Sequence, residues 1–229
     1  MNAVENDLAA GREPPRTARG ARTRAALVTA ARTVFERDGY LDARLTDITA
    51  EAQCSTGSFY TYFTNKKEVF AAVLEEAQEE MLHPHVREVA GAEDPVAVIE
   101  ASNRAYLTAY QRNAKLMRLL EQVSTIDADV RELRRRRGAA FAERNAASIR
   151  DLQARGLADP GLDAAIAAQA LSAMVGRTAN AVYVLGDDIP FEALVATLTR
   201  LWANALQLEV PPARAAKKPR ARRGAAAKA

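Results

Sequence analysis

Residues 54–70 read CSTGSFYTYFTNKKEVF, a run that crowds a glycine, serine and threonine hydroxyls and aromatic rings together and follows them with two lysines. Hydroxyls both donate and accept hydrogen bonds, and tyrosines can reach phosphate oxygens. A core helix has no use for that mix, whereas a surface meeting a polar, anionic partner does. With the residues before it, LTDITAEAQCSTGSFYTYF at 45–63, the pattern resolves into two short helices. Leu45, Ile48 and Ala52 make one apolar stripe, and Phe59 and Phe63 make another. A break near Gln53 and Cys54 separates them, which spells a helix-turn-helix. The second helix turns Phe59 and Phe63 inward and leaves Ser55, Thr56, Gly57, Ser58, Tyr60, Thr61 and Tyr62 facing out. That face is small and hydroxyl-rich at the end where a recognition helix meets base edges.

The next helix gives an independent sign. Asn65 and Glu68 form a capping box, yet Lys66 and Lys67 occupy the first turn, where the helix dipole disfavours cations. A phosphate bound at that end reverses the argument. Two solvated lysines are the plain alternative.

The rest of the chain must position this module, and almost all of it reads as helix. Leu27, Ala31, Val34 and Phe35 repeat at helical spacing until Gly39. Phe70, Val73, Leu74, Ala77 and Met81 do the same until HPH at 83–85. Pro95 opens a helix with Val96, Ile99, Asn103, Tyr106, Leu107 and Tyr110 on adjoining faces. A short apolar helix, AKLMRLLEQV, follows, then a long polar one from about Asp129 to Arg155 with Gly138 as a weak point. ADPGLD at 158–163 is a turn before a helix running to Gly186. AVYVLG at 181–186 has strand propensity but continues the helical pattern. Pro190 starts the last helix, with Leu194, Val195, Leu198, Leu201, Trp202 and Leu206 at helical spacing. The chain is therefore expected to be all-α with about nine helices. The domain boundaries predicted are an arm at 1–18, a helix-turn-helix domain at 19–66, a larger helical domain at 67–210 and a basic tail at 211–229.

Composition bounds the function. The net charge is +3, but the last nineteen residues hold seven basic side chains and no acid, so the body carries a net of −4. Such a tail, rich in proline, alanine and like charge, is expected to be solvated and to stick to polyanions at most. No run of eighteen apolar residues occurs, the first fifteen residues lack an apolar signal region, and a single cysteine forbids an internal disulfide. A cytoplasmic location is the expectation. No phosphate loop, nucleophile elbow or metal-ligand cluster is present, so neither an enzyme nor a cofactor is expected. His83 and His85 flank a proline with no further histidine in the chain, which argues against a metal site. Cys54 reads as a core residue of the turn.

The segment from about Thr23 to Val73, with FERDGY followed by DITAEAQCSTGSFYTYFTNKKEVF, resembles the DNA-binding domain of the TetR family of bacterial transcriptional regulators. The family pattern is close to D-I-A-x-x-A-G-V-S-x-G-x-x-Y-x-Y-F-x-x-K-x-x-L/F. The resemblance implies that Ser55, Thr56, Gly57, Ser58 and Thr61 face the major groove and that Tyr60, Tyr62 and Lys66 contact the DNA backbone. Arg24, Arg44 and Thr46 join that surface, Arg24 with Arg22 on the first helix after an arm carrying Arg12, Arg16 and Arg19. Two positions depart from the pattern. Gln53 stands where the turn glycine is usual, and Arg44 where a threonine usually opens the first of the two helices. Capping is then expected from Asp42.

The resemblance further implies a cytoplasmic homodimer through the last two helices, a palindromic operator and a small-molecule pocket in the larger domain, with repression as the family's usual sense. Gly176 in an alanine-rich helix would permit close subunit approach. Tyr106, Tyr110, Met117, Gln122, Asn145, Met174, Asn180 and Tyr183 fall on faces expected to point inward, either lining a pocket for a lipophilic ligand or pairing within the core. The run RELRRRRG at 131–138 places five arginines around a helix. It reads either as a solvated face or as an anion site at the pocket mouth, suited to the phosphates of an acyl-coenzyme A. The competing class is a non-sensing DNA-binding dimer whose basic arm and tail coat the duplex, with weak sequence preference and steep salt dependence.

Overall fold

The computed structural model describes Pro15, residues 17–82 and residues 94–209. The basic tail, most of the arm, and the His83–His85 pair lie outside the described residues. Nine α-helices and one short π-helical turn make up the described residues, which contain no strand.

Most of the helices begin where the sequence supplies a capping side chain. Thr17 starts α1 (Ala18–Asp38), its hydroxyl accepting from the Gly20 N–H at 3.1 Å. Gly39 ends that helix at φ 82°, a conformation open to glycine at little cost. Arg44 precedes α2 (Leu45–Glu51) and provides no side-chain cap, and neither does Asp42, so the expected transfer of capping does not occur. Ser55 caps α3 (Thr56–Tyr62), and α4 (Lys66–Leu82) opens on Asn65, whose Oδ1 accepts from the Glu68 N–H at 2.9 Å. Glu68 reaches back to the Thr64 N–H rather than to Asn65 itself.

Asp94 caps α5 (Pro95–Arg112), whose proline sits in the first turn. The helices α6 (Ala114–Ile126) and α7 (Ala128–Ala154) are joined at Asp127, which caps the second of them. Helix α7 runs straight through Gly138. Asp163 caps α8 (Ala164–Asn180), and the strand-like AVYVL at 181–185 continues it as a π-turn closed by Gly186 at φ 93°. Pro190 precedes α9 (Phe191–Ala205).

Two apolar clusters organise these helices. The first joins α1–α3 and the first part of α4 to Leu116, Leu119 and Val123 of α6 and to Val130 and Leu133 of α7. The boundary expected at residue 66 is thus bridged by a shared core. Its centre is an aromatic triangle of Phe35, Tyr40 and Phe70, with centroids 4.8–5.7 Å apart. The second cluster packs α5, the later part of α7, α8 and α9 around Leu107, Ile149, Leu198 and Leu206.

The turn between α2 and α3 carries a measurable strain. Gln53 adopts φ 52°, the left-handed region that costs an L-residue about 1–2 kcal/mol. Gln53 is exposed, so glycine there relieves the strain without opening a cavity. Part of the gain is offset by the greater freedom of glycine in the unfolded chain. Gln53→Gly is expected to stabilise the protein by about 1 kcal/mol, read as a melting temperature ~2–4 °C higher. An unchanged or lower value would mean that the Gln53 side chain compensates for its backbone.

Candidate DNA-binding surface and effector cavity

Phe59 and Phe63 are fully buried, with ring centroids 5.6 Å apart, and this fixes the rotation of α3. Thr56, Gly57, Tyr60 and Thr61 are therefore exposed along one side, with Ser55 at the start and Ser58 half-buried. The hydroxyls are not equivalent. Ser55 and Ser58 share a hydrogen bond at 3.0 Å while Ser55 also caps the helix, and Thr61 donates to the Gly57 carbonyl. The hydroxyls of Thr46 and Thr56 have no protein partner among the described residues. A Cβ built at Gly57 meets only the Ser55 hydroxyl, at 3.7 Å, so this side of the helix is open to close approach.

Arg44 is exposed beside this face, at the start of α2. Arg24 stacks its guanidinium 5.2 Å from the Phe63 ring centroid, which holds it at the edge of the same surface. Tyr62 lies across the first turn of α1, where Gly20 makes room for it: a Cβ at Gly20 would stand 3.4 Å from the tyrosine oxygen.

The two lysines after the recognition helix depart from expectation. Lys66 turns inward, donating to the carbonyls of Leu41 and Ala43 at 3.0 and 2.9 Å with its ammonium 4.9 Å from the Tyr40 ring centroid. Burial lowers its pKa. It clamps the loop before α2 and is not poised for phosphate. Lys67 reaches Asp129 at 2.5 Å and Asp127 at 2.9 Å, at the start of α7. Hydrogen bonding to Asp129 raises its pKa. Asp127 is pushed up by burial, but its bonds from Lys67 and from the Val130 and Asp129 N–H groups together hold it below the usual carboxylate range. The pair thus ties the helix-turn-helix unit to the helix that runs beside the cavities. No local pattern marks this link, because its partners lie about sixty residues apart.

Two neighbouring cavities open in the helical domain. One, of about 560 Å³, is lined mainly by apolar groups including Ile99, Phe141, Leu152, Val175 and Trp202. The other, of about 1040 Å³, lies between α4, α6, α7 and α8 and carries Arg131, Arg134, Arg135 and Arg137. Tyr106 lines both, Asn145 the first, and Tyr110, Met117 and Asn180 the second. The polar members of this set also bond within the protein: Asn145 to Ser172 at 2.8 Å, and Asn180 to Glu121 at 2.9 Å.

Three expected pocket residues are corrected. Gln122 is exposed, because α6 buries the face of Leu119 and Val123. Met174 and Tyr183 pack against the second core cluster and line neither cavity. Gly176 lines the larger cavity. A Cβ there would stand 3.4 Å from the Tyr106 oxygen, so its smallness admits a side chain of its own subunit. Asn103, Phe141 and Trp202 were missed as lining residues. A polar residue at an apolar-periodic position, and a phenylalanine within a polar helix, were the available signals.

An exposed, hydroxyl-bearing α3 held by a buried aromatic pair, below a helical domain with an apolar cavity, defines a helix-turn-helix DNA-binding protein with a ligand-binding domain. Residues 27–73 match the family described as bacterial regulatory proteins, tetR family, and residues 99–207 match the C-terminal domain of the transcriptional regulator EthR. The chain belongs to the TetR family, whose members are DNA-binding transcription factors and not enzymes, bind small molecules and act as dimers. No curated protein matches it. Among solved structures, a transcriptional regulator from Rhodococcus sp. Rha1 is similar at 23% identity and TM-score 0.66, over 82% of this chain and 99% of that one. Salmonella enterica GusR matches at 21% and 0.69, over 82% and 96%. The SmeT–triclosan complex matches at 20% and 0.66, over 80% and 91%. These likenesses establish the fold. Among the described residues, no helix is long and apolar enough to cross a membrane.

Proposed function

We propose that this regulator is a repressor that binds a palindromic operator as a homodimer and is released by a lipophilic small molecule. The DNA-facing residues are Arg24, Arg44, Thr46, Ser55, Thr56, Gly57, Ser58, Tyr60, Thr61 and Tyr62, with Lys66 shaping the surface from within. The subunits meet through α8 and α9, whose exposed faces carry Ile166 and Leu201 among small side chains. A two-fold pair sets its recognition helices one DNA turn, about 34–36 Å, apart.

The observation that carries ligand control is the Trp202 indole. It lines the apolar cavity, yet its Nε1–H is buried with no hydrogen-bond partner among the described residues. An unmet buried donor costs about 1–3 kcal/mol, and a ligand oxygen relieves that cost. The cavity also has the size usual for small-molecule sites, roughly 300–1,000 Å³. Triclosan, held by SmeT, is a compound of lipophilic kind.

Selection from random duplexes by the full chain is expected to enrich a palindrome with half-sites ~10 base pairs apart. Native mass spectrometry followed by organic extraction should identify a bound lipophile. A selection without enrichment, with affinity falling steeply in salt once the tail is present and gone once it is removed, would favour the architectural reading instead.

A further inference from the structure

The larger cavity holds a charge imbalance that the fold does not use. Arg131, Arg134, Arg135, Arg137 and Arg177 line it, against the carboxylates of Glu121 and Glu143. Arg135 is matched by Glu132, and Glu143 is engaged by Arg150. Among the described residues Arg131 bonds only carbonyls, of Ser124 at 2.9 Å and Thr125 at 3.2 Å. Arg134 donates to the Ser124 hydroxyl at 3.1 Å and stands 4.0 Å from Glu121, which Arg177 shares at the same distance. Arg137 is half-buried; its one hydrogen-bond partner among the described residues is the Ala71 carbonyl of α4, at 3.1 Å, and Glu75 is the carboxylate whose charge it feels without an ion-pair contact. Burial lowers its pKa. Guanidinium groups satisfied only by neutral acceptors remain open to an anion, which binds them more strongly than a carbonyl does.

The two cavities share the walls Met81, Tyr106, Phe141 and Ser172. The Tyr106 and Phe141 rings, 5.7 Å apart, and the pliable Met81 form a septum of side chains that can re-pack around a chain passing between them. Along α7 the arginines that line the larger cavity come first, and Phe141, Ile149 and Leu152 of the apolar cavity follow, with Arg144 and Asp151 lining that cavity beside them.

We propose that the two cavities form one bipartite site for an amphipathic anion, with an acyl chain in the apolar chamber and a bulky phosphorylated head among Arg131, Arg134 and Arg137, as in an acyl-coenzyme A thioester. This rests on the reading of the helical domain as the effector domain and names its ligand class. The head draws Arg137 from the Ala71 carbonyl, and so loosens α4, the helix that follows the recognition helix. A ligand shifts the equilibrium only through such a difference between its two states.

The test is displacement of the neutral fluorophore 1-aminoanthracene from the full-length protein by lauroyl-coenzyme A, laurate or coenzyme A. Lauroyl-coenzyme A is expected to compete at concentrations roughly tenfold or more below laurate, and coenzyme A alone to compete poorly. In Arg131→Ala/Arg134→Ala/Arg137→Met the preference should vanish while fluorophore binding persists. Should that variant lose the fluorophore, the exposed pair Arg131→Ala/Arg134→Ala carries the same comparison. Equal competition by laurate and its thioester, equal competition by coenzyme A alone, or a preference retained in the variants overturns the bipartite site and leaves a lipophile-controlled regulator standing. Failure of the wild-type protein to bind the fluorophore overturns both readings.

Discussion

Leu201→Glu is expected to turn the protein into a monomer and to weaken operator binding about 100-fold or more. Leu201 is 44% exposed on α9, and Ile166 on α8 is 69% exposed. The exposed positions around Leu201 are Ala193, Ala196, Thr197, Asn204 and Ala205, small side chains that let a partner helix approach, together with Arg200. A carboxylate buried there without a partner opposes association by several kcal/mol. Each monomer then reads one half-site. Specific binding exceeds non-specific binding by roughly 4–10 kcal/mol, so losing half of that margin corresponds to the stated fold-change. Light scattering and operator titration measure the two effects, and a thermal melt of the monomer should change little because Leu201 belongs to neither buried cluster of the subunit. A Leu201→Glu protein that stays dimeric with full affinity would place the interface elsewhere.

Phe59→Ala should have the largest effect on stability, about 3–5 kcal/mol. Phe59 is fully buried, and its ring contacts those of Tyr60 and Phe63 at 5.6 Å. A helix of seven residues has little intrinsic stability, so α3 exists only because its aromatic face is buried. Deleting the ring leaves a cavity under the recognition face and frees the rotation that exposes Thr56, Gly57 and Tyr60. The melting temperature should drop by ~10 °C, and operator binding should fail at temperatures where circular dichroism still reports most of the helix content. A drop of ~2 °C or less would mean that Phe63 and α1 hold the helix without it.

The helix-turn-helix was legible because its evidence is local. Two apolar stripes, the left-handed Gln53 and the Asn65–Glu68 cap are each determined within a few residues, by side-chain spacing and backbone sterics. The same holds for the helix endings at Gly39 and Gly186. The pocket was legible only in part. Tyr106, Tyr110, Met117, Asn145 and Asn180 reach a cavity, while Gln122, Met174 and Tyr183 do not. Helical periodicity says which side of a helix turns inward but not what stands opposite it, so a core position and a cavity wall look alike.

By itself, then, the sequence determined the elements, the inward and outward faces of α3 and the resemblance to a regulator, since each follows from interactions within one or two helical turns. Only the tertiary structure decided where the charges go. Lys66 and Lys67 read alike in the chain, yet one clamps a loop twenty-odd residues earlier and the other grips α7 about sixty residues later. Arg135 finds a hydrogen-bonded carboxylate one turn away, while Arg137 donates to a carbonyl on α4. A long flexible cation is satisfied by whatever acceptor the packed helices bring within reach, and that is a property of the fold rather than of the neighbouring residues.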